Sequence, residues 1–493
     1  MNYCTPEKMG ISSADIQAYL ELLERSKLAT HDLIIMRKDQ ILFEHYWKPF
    51  HKDFQHRMYS ATKSFVSLAI GFLEQDGLIG LDDKLIDYFP EEAKQLTDDY
   101  FRALTIRQML MMRTAKQRRS WFPIKPQDRV LDYFQNPSPT AHHAGTFFEY
   151  DSNGSFILGA LVERVSGKTL MDYLREKFLD KIGFSEEADM LACPGGHSWS
   201  DSALICKATD LLKAAQFCMH KGNWNGEQLL NEKYIEEATA CQVSTITTDY
   251  PSYIYEGYGY QFWRTHDNSY FFNGMGCQYA ICVPDKDLIV IYNGDNQGND
   301  YAKLIIINAL FDLVIRKAQD APMEENSQAQ KALAGYCSTL ELFHAKGAAT
   351  SPMAERINGK TFALDTNPMG ITKLKITFDE GGGTLAYTNA QGDKELSFGI
   401  NANRFGKFPQ KGYADRIGTV PGDRLFDCAA SAAWADTNTF FIDVQVIDTY
   451  FGRLQMIFSF REDLKLGIKM IKKAEDFMNE YEGIATGNLT GRI

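Results

Sequence analysis

The chain has 493 residues, 44% of them apolar and 24% charged, which is the composition of a folded globular protein too long for one ordinary core. Its net charge of −12 excludes the basic surface that non-specific nucleic-acid or anionic-membrane binding requires, and no run approaches 18 uninterrupted apolar residues. Nine cysteines, an odd number without a CxxC pair, point to reduced, buried thiols of a cytoplasmic protein rather than to a zinc or redox centre.

The first 26 residues lack a basic segment followed by an apolar run, so no signal peptide is expected. Residues 14–26 carry the spacing of an amphipathic helix. Residues 31–47 read as two strands joined by a turn at Lys38-Asp39-Gln40. From Ser60 to Asp76 the chain is apolar on nearly every side, as a central buried helix would be, and Gly77 is its natural stop. A turn-rich passage (77–91) and an apolar-striped helix (104–115) follow. Residues 116–145 show no clear periodicity and are read as loops or short helices over a cleft. Helices are expected over 154–167, continuing beyond it, and over 210–222. The period changes to two at Gly257, giving a meander of strands, and 301–318 is a long apolar helix that could lie back across the sheet.

Residues 319–330 combine proline, acidic and polar residues and form the best linker. Period-two segments separated by Gly- and Asn-rich turns fill 358–470 and offer no motif with evident chemistry. The expected architecture is α+β: an antiparallel sheet flanked by helices plus a helical region in 1–320, a linker and short helix in 321–346, and a separate all-β barrel or sandwich in 347–493.

Chemistry concentrates at Ser60-Ala61-Thr62-Lys63. A serine and a lysine three apart share a helical face. Burial favours the neutral amine, and a neutral lysine can take the proton of a neighbouring serine. The bland alternative is an N-cap serine with a snorkelling lysine. Two further stretches follow in order, Phe148-Glu149-Tyr150-Asp151-Ser152-Asn153-Gly154 and, on a strand, Phe272-Asn273-Gly274-Met275-Gly276.

The order and spacing of the three motifs resemble the serine β-lactamase-like superfamily: class C β-lactamases, penicillin-binding DD-peptidases and related esterases and amide hydrolases. GLIGLDDKLIDYFPE, LTIRQMLMM, LGALVERVSGKTLMDYL and YGYQFW are similar to family segments too, so the resemblance spans about residues 5–318. It implies an acyl-enzyme mechanism with Ser60 as nucleophile, Lys63 as its partner and Tyr150 as proton relay. It also implies an oxyanion hole from the backbone N–H groups of Ser60 and Met275, and no metal or organic cofactor. Two positions depart from the family pattern. Ser152 stands where an asparagine is usual, with Asn153 next to it, and either could serve Lys63 or a substrate amide. Phe272 stands where the third motif usually carries Lys or His, the cation that meets a β-lactam or peptide carboxylate.

Phe272, Asn273, Gly274, Ser152, Asn153 and Trp121 are therefore the expected substrate-binding residues. His56 and Arg57 are expected to brace the sheet or to salt-bridge nearby, His142-His143 to lie in a loop, and Asp82-Asp83 to form a turn or cap. The expected activity is hydrolysis of a small ester or amide, with no nucleic-acid or membrane partner. A D-amino-acid peptidase or β-lactamase of the same fold, and a decayed scaffold without catalysis, are the rivals.

Overall fold

The computed structural model describes residues 2–114, 128–135, 142–193, 195–246, 248, 250, 254–412, 424–475 and 477–490. It comprises two compact units, Met1–Glu341 and Leu342–Ile493.

In the first unit, α1 (Ser13–Arg25) is the amphipathic helix expected, capped by the Ser12 hydroxyl, which accepts from Ala14 N–H at 3.2 Å. Strands β2 (Thr30–Arg37) and β3 (Gln40–Tyr46) follow a short β1 (Asn2–Tyr3). Their tight turn uses Lys38 and Asp39, both left-handed at φ 48° and 59°. That geometry matches the twist of the hairpin it joins. Helix α2 (Thr62–Gln75) is buried at every position from Thr62 to Leu73, which is why its sequence shows no polar stripe. Helices α3 (Arg129–Gln135), α4 (Ser152–Ser166) and α5 (Ala208–Met219) complete the parts that frame the site. Left-handed Gly167 (φ 70°) closes α4.

Strands β4 (Gly257–Tyr258), β5 (Trp263–Thr265), β6 (Ser269–Gly274), β7 (Gln278–Val283) and β8 (Leu288–Gly294) form the expected meander, and α6 (Ala302–Leu310) follows. The sheet order is β1-β3-β2-β8-β7-β6-β5-β4, so the first hairpin docks antiparallel on the last strand of the meander. Leu288 to Tyr292 is continuously apolar because β8 is covered on both faces. Val290 and Tyr292 share a core with Ile16 and Leu20 of α1 and with Ile306 and Leu310 of α6. Alternate residues face α5.

The second unit is a barrel rather than a sandwich. Among the described residues nine strands form its ring, Thr361–Leu364, Lys373–Asp379, Gly382–Asn389, Gly392–Ile400, Asp427–Trp434, Thr439–Ile447, Phe451–Phe460, Lys465–Ala474 and Gly483–Leu489, and a tenth, Arg404–Lys407, pairs antiparallel with Asp427–Trp434. Parallel pairing of Gly399 with Ser431 and Ile400 with Ala432 closes the ring. Closure leaves no open edge among the nine. None of the nine cysteines is in a disulfide. No helix among the described residues is long and apolar enough to cross a membrane.

Candidate active site

Ser60 is presented by a strained turn. The chain leaves the short strand His56–Arg57 and passes through Tyr59, whose φ of 46° is left-handed. For a bulky side chain that conformation costs on the order of 1–3 kcal/mol. The surroundings hold it there. Met58 N–H donates to Leu204 O at 2.8 Å, and Tyr59 is buried with the Arg57 guanidinium 4.5 Å from its ring centroid. Arg57 donates to the Ser202 carbonyl and hydroxyl at 3.0 and 3.2 Å and lies 4.4 Å from the Trp199 ring. It therefore braces the turn, where the sequence pointed to the sheet or a nearby salt bridge. A single 3-10 turn, Tyr59–Ala61, carries Ser60 into α2.

Lys63 is 1% exposed. Its Nζ lies 2.9 Å from Ser60 Oγ, donates to the Asp201 carbonyl at 2.7 Å and sits 5.2 Å from the Tyr150 ring centroid. Burial pulls its pKa down to about 8. The Asp201 carboxylate opposes that fall, the Arg129 guanidinium reinforces it, and Asp151 opposes it. Once deprotonated, the amine can keep one N–H on the Asp201 carbonyl and turn its lone pair to the Ser60 hydroxyl.

Tyr150, just ahead of α4, is stacked on Trp263 at 5.7 Å and 21°. Tyr250 and Tyr255 extend this wall, 5.0 and 4.4 Å from Trp263. Asn153 is held as the acceptor of Arg129 Nη2 at 2.9 Å. Ser152, the first residue of α4, is not among the residues that line the cavity.

The third motif ends β6. Asn273, Gly274 and Met275 line the same cavity of about 330 Å³ as Ser60 and Tyr150. Asn273 Nδ2 donates to Tyr255 OH at 3.2 Å. A Cβ on Gly274 would stand 2.2 Å from Met58 O, so only glycine lets the strand end approach the Ser60 turn. Phe272 departs from its expected place. The pleat turns it into the core, fully buried, with Phe65 and Phe262 at 5.8 and 5.0 Å, and it does not line the cavity. Trp121 lies outside the described residues.

The Beta-lactamase family pattern matches residues 20–310, more than half of the chain. The chain belongs to the beta-lactamase family. It is 22% identical over 285 residues to the 6-aminohexanoate-dimer hydrolase of Paenarthrobacter ureafaciens, covering 53% of this chain and 71% of that protein. A Bacillus anthracis structure provisionally described as a 6-aminohexanoate-dimer hydrolase superposes with a TM-score of 0.52 at 18% identity, over 63% of this chain and 85% of that one. EstCE1, a hydrolase with promiscuous acyltransferase activity, gives a TM-score of 0.51 at 14% identity, over 60% and 98%.

Within this family framework the cavity holds residues that lie outside the three motifs. Tyr250, Tyr255 and Trp263 form its wall, and Lys303, near the start of α6, lines it with Nζ 5.8 Å from the Tyr255 ring centroid. Arg264, another cation near the strands, is turned away to Thr239 O at 2.8 Å. The Arg129–Asp201 pair behind Lys63 was also invisible, because its members are 72 residues apart and neither sits in a recurrent pattern. The remaining candidates are structural. His56 Nε2 lies 3.2 Å from His31 Nδ1 and 3.6 Å from Asp32. Asp83 accepts from Gly80 N–H at 2.6 Å within a turn, and Asp82 pairs with Arg107. His142 and His143 lie in a loop, and no acidic, His or Cys cluster suited to a metal exists among the described residues.

Proposed function

We propose that this beta-lactamase family member is a serine hydrolase that cleaves small esters or amides through an acyl-enzyme on Ser60. The observation that carries the reading is the 2.9 Å separation of Ser60 Oγ from the fully buried amine of Lys63. Neutral Lys63 accepts the hydroxyl proton as Oγ bonds to the substrate carbonyl carbon, whose oxygen takes the negative charge. The backbone N–H groups of Ser60 and Met275, both at the cavity, are assigned to that oxyanion. Collapse of the adduct breaks the bond to the leaving alcohol or amine, which receives the proton from Lys63 through the Tyr150 phenol. Water then attacks the acyl-enzyme, giving its proton to the same relay and releasing the acid with Ser60 restored. The alternative of a decayed scaffold finds no support in a site that keeps Ser60, Lys63 and Tyr150 together.

Treatment with a serine-directed fluorophosphonate followed by mass spectrometry tests the assignment. Wild-type protein is expected to gain one adduct on Ser60, and Ser60→Ala none, with the fold retained because the Ser60 hydroxyl caps no helix. An adduct that persists in the folded alanine variant overturns it.

A second reading, cleavage of a substrate bearing a carboxylate as in a D-amino-acid peptide, is favoured by Lys303, a cation on the cavity wall. Lys303→Met would then raise KM for an anionic ester and leave a neutral one unchanged.

A further inference from the structure

Behind the serine–lysine pair lies a charged cluster with almost no access to water. The side chains of Arg129 and Asp201 are 2% and 3% exposed. Arg129 Nη1 and Nη2 donate to the two carboxylate oxygens of Asp201 at 2.6 and 3.1 Å. The same guanidinium holds Asn153 Oδ1 at 2.9 Å, meets Cys193 Sγ at 3.7 Å and lies 4.1 Å from the Phe156 ring centroid. The backbone carbonyl of Asp201 accepts from Lys63 Nζ. A buried ion pair is a weak source of stability, because desolvation consumes most of its Coulomb gain. Its position, one residue's backbone away from the amine, gives it another use.

We propose that Arg129 is a positioning residue that, through its pairing with Asp201, keeps Lys63 in its neutral, proton-accepting form. The Asp201 carbonyl fixes the amine beside Ser60. The Arg129 guanidinium compensates the Asp201 carboxylate, which would otherwise hold the amine protonated. This rests on the reading of Ser60 as nucleophile and Lys63 as its base.

The charges around Lys63 make the need explicit. Two carboxylates favour its ammonium form: Asp201, and Asp151 ahead of α4. Burial and the Arg129 guanidinium favour the free amine, while the Tyr150 ring and the Ser60 hydroxyl complete the surroundings. In a site this dry, removing the guanidinium leaves both carboxylates acting on the amine with little screening. Removing the Asp201 charge alone does the reverse. Ser152 fills the register of the family asparagine without lining the cavity, whereas Asn153 is held on the same guanidinium, so the cluster joins α3 and α4 to the base.

The two charges must therefore move the base in opposite directions, which a merely structural pair would not do. The second-order rate of fluorophosphonate labelling of the full-length protein is measured from about pH 6 to pH 10, a range in which the acid limb reports deprotonation of the base. Arg129→Gln is expected to move the midpoint of that limb up by about one pH unit, and Asp201→Asn, which keeps the carbonyl acceptor, to move it down. The double variant, in which both charges are removed, is expected to return close to wild type. If Arg129→Gln does not fold, Asp201→Asn and the double variant decide. A midpoint common to all the folded variants, or one that Asp201→Asn raises, overturns the inference while leaving Ser60 assigned. Absence of Ser60 labelling in the wild type overturns both.

Discussion

The role proposed for Lys63 as a base depends on where it is. In water its ammonium would be fully protonated at neutral pH, whereas burial brings the pKa to about 8, so an appreciable fraction is free amine near neutrality and the fraction grows as pH rises. Tyr150 is proposed as the relay because its ring centroid lies 5.2 Å from Lys63 Nζ and it lines the cavity with Ser60. Tyr150→Phe keeps the ring on Trp263 and removes only the hydroxyl. Turnover of a simple aryl ester is expected to fall by about 10²–10⁴-fold with the melting temperature nearly unchanged. Unaltered kcat in the phenylalanine variant would show that Lys63 hands the proton on without help. Ser60, Lys63 and Tyr150 were all legible in the sequence, because helical periodicity and short motifs are local. Arg129, Asp201 and Lys303 were not, because only the tertiary fold brings them to the site.

At the scale of elements, the approach of β6 to the Ser60 turn decides the geometry. The Met58 carbonyl occupies the place of a Gly274 side chain, so Gly274→Ala must push apart the two backbones assigned to the oxyanion. Displacement of about 1 Å at a reacting centre can cost about 10²-fold in rate, and overpacking costs about 1–3 kcal/mol. Labelling of Ser60 and thermal stability should both fall, and wild-type values for both would remove the close approach from the account. The pleat of the same strand explains why the sequence misplaced Phe272. Motif alignment identifies a position, but the alternation of a strand whose faces are both apolar is hard to phase from sequence.

The β2–β8 pair makes a separate prediction about stability. Asp32, fully buried, donates nothing when ionised and accepts from Asn293 Nδ2 at 2.9 Å, and burial raises its pKa from 3.8 to about 8. The folded state therefore holds a proton that the unfolded chain releases above 3.8. Stability from this group is lost as pH rises through that window, by about 1.4 kcal/mol per pH unit. Below pH 6.5 buried His56, whose pKa burial lowers to about 3, imposes the opposite slope. Between about pH 6.5 and 8 the His56 slope is absent, and comparison with Asp32→Asn cancels the contribution of His197, whose pKa its hydrogen bond to Glu163 raises. Thermal unfolding of Asp32→Asn and wild type should show the variant gaining relative stability across that range. A constant difference in melting temperature would mean that Asp32 is ionised throughout.

For the molecule as a whole, substrate choice depends on what the fold delivers to one cavity from distant segments. The wall of Tyr150, Tyr250, Tyr255 and Trp263 offers flat apolar surface to an acyl or leaving group. The cation that the family pattern places on the third motif is replaced by Phe272, and that ring is in the core, so Phe272→Lys would bury a charge beside Phe65 and Phe262 instead of creating an anion site. Arg57 and Arg264 are committed to carbonyl oxygens elsewhere. Lys303 is the cation lining the cavity among its described residues, and Asp300 shares that lining. An opposite charge so near weakens the hold of Lys303 on a substrate carboxylate. A neutral ester makes no demand on either group and needs only the oxyanion donors and the aromatic wall. Hydrolysis of a neutral aryl ester is therefore expected to exceed that of a chromogenic cephalosporin when kcat/KM is compared side by side. Lys303→Met is expected to reduce any cephalosporin turnover and to spare the ester. A wild-type preference for the cephalosporin that Lys303→Met abolishes would reverse the choice in favour of the carboxylate-bearing substrate, with α6 supplying the charge that β6 lacks.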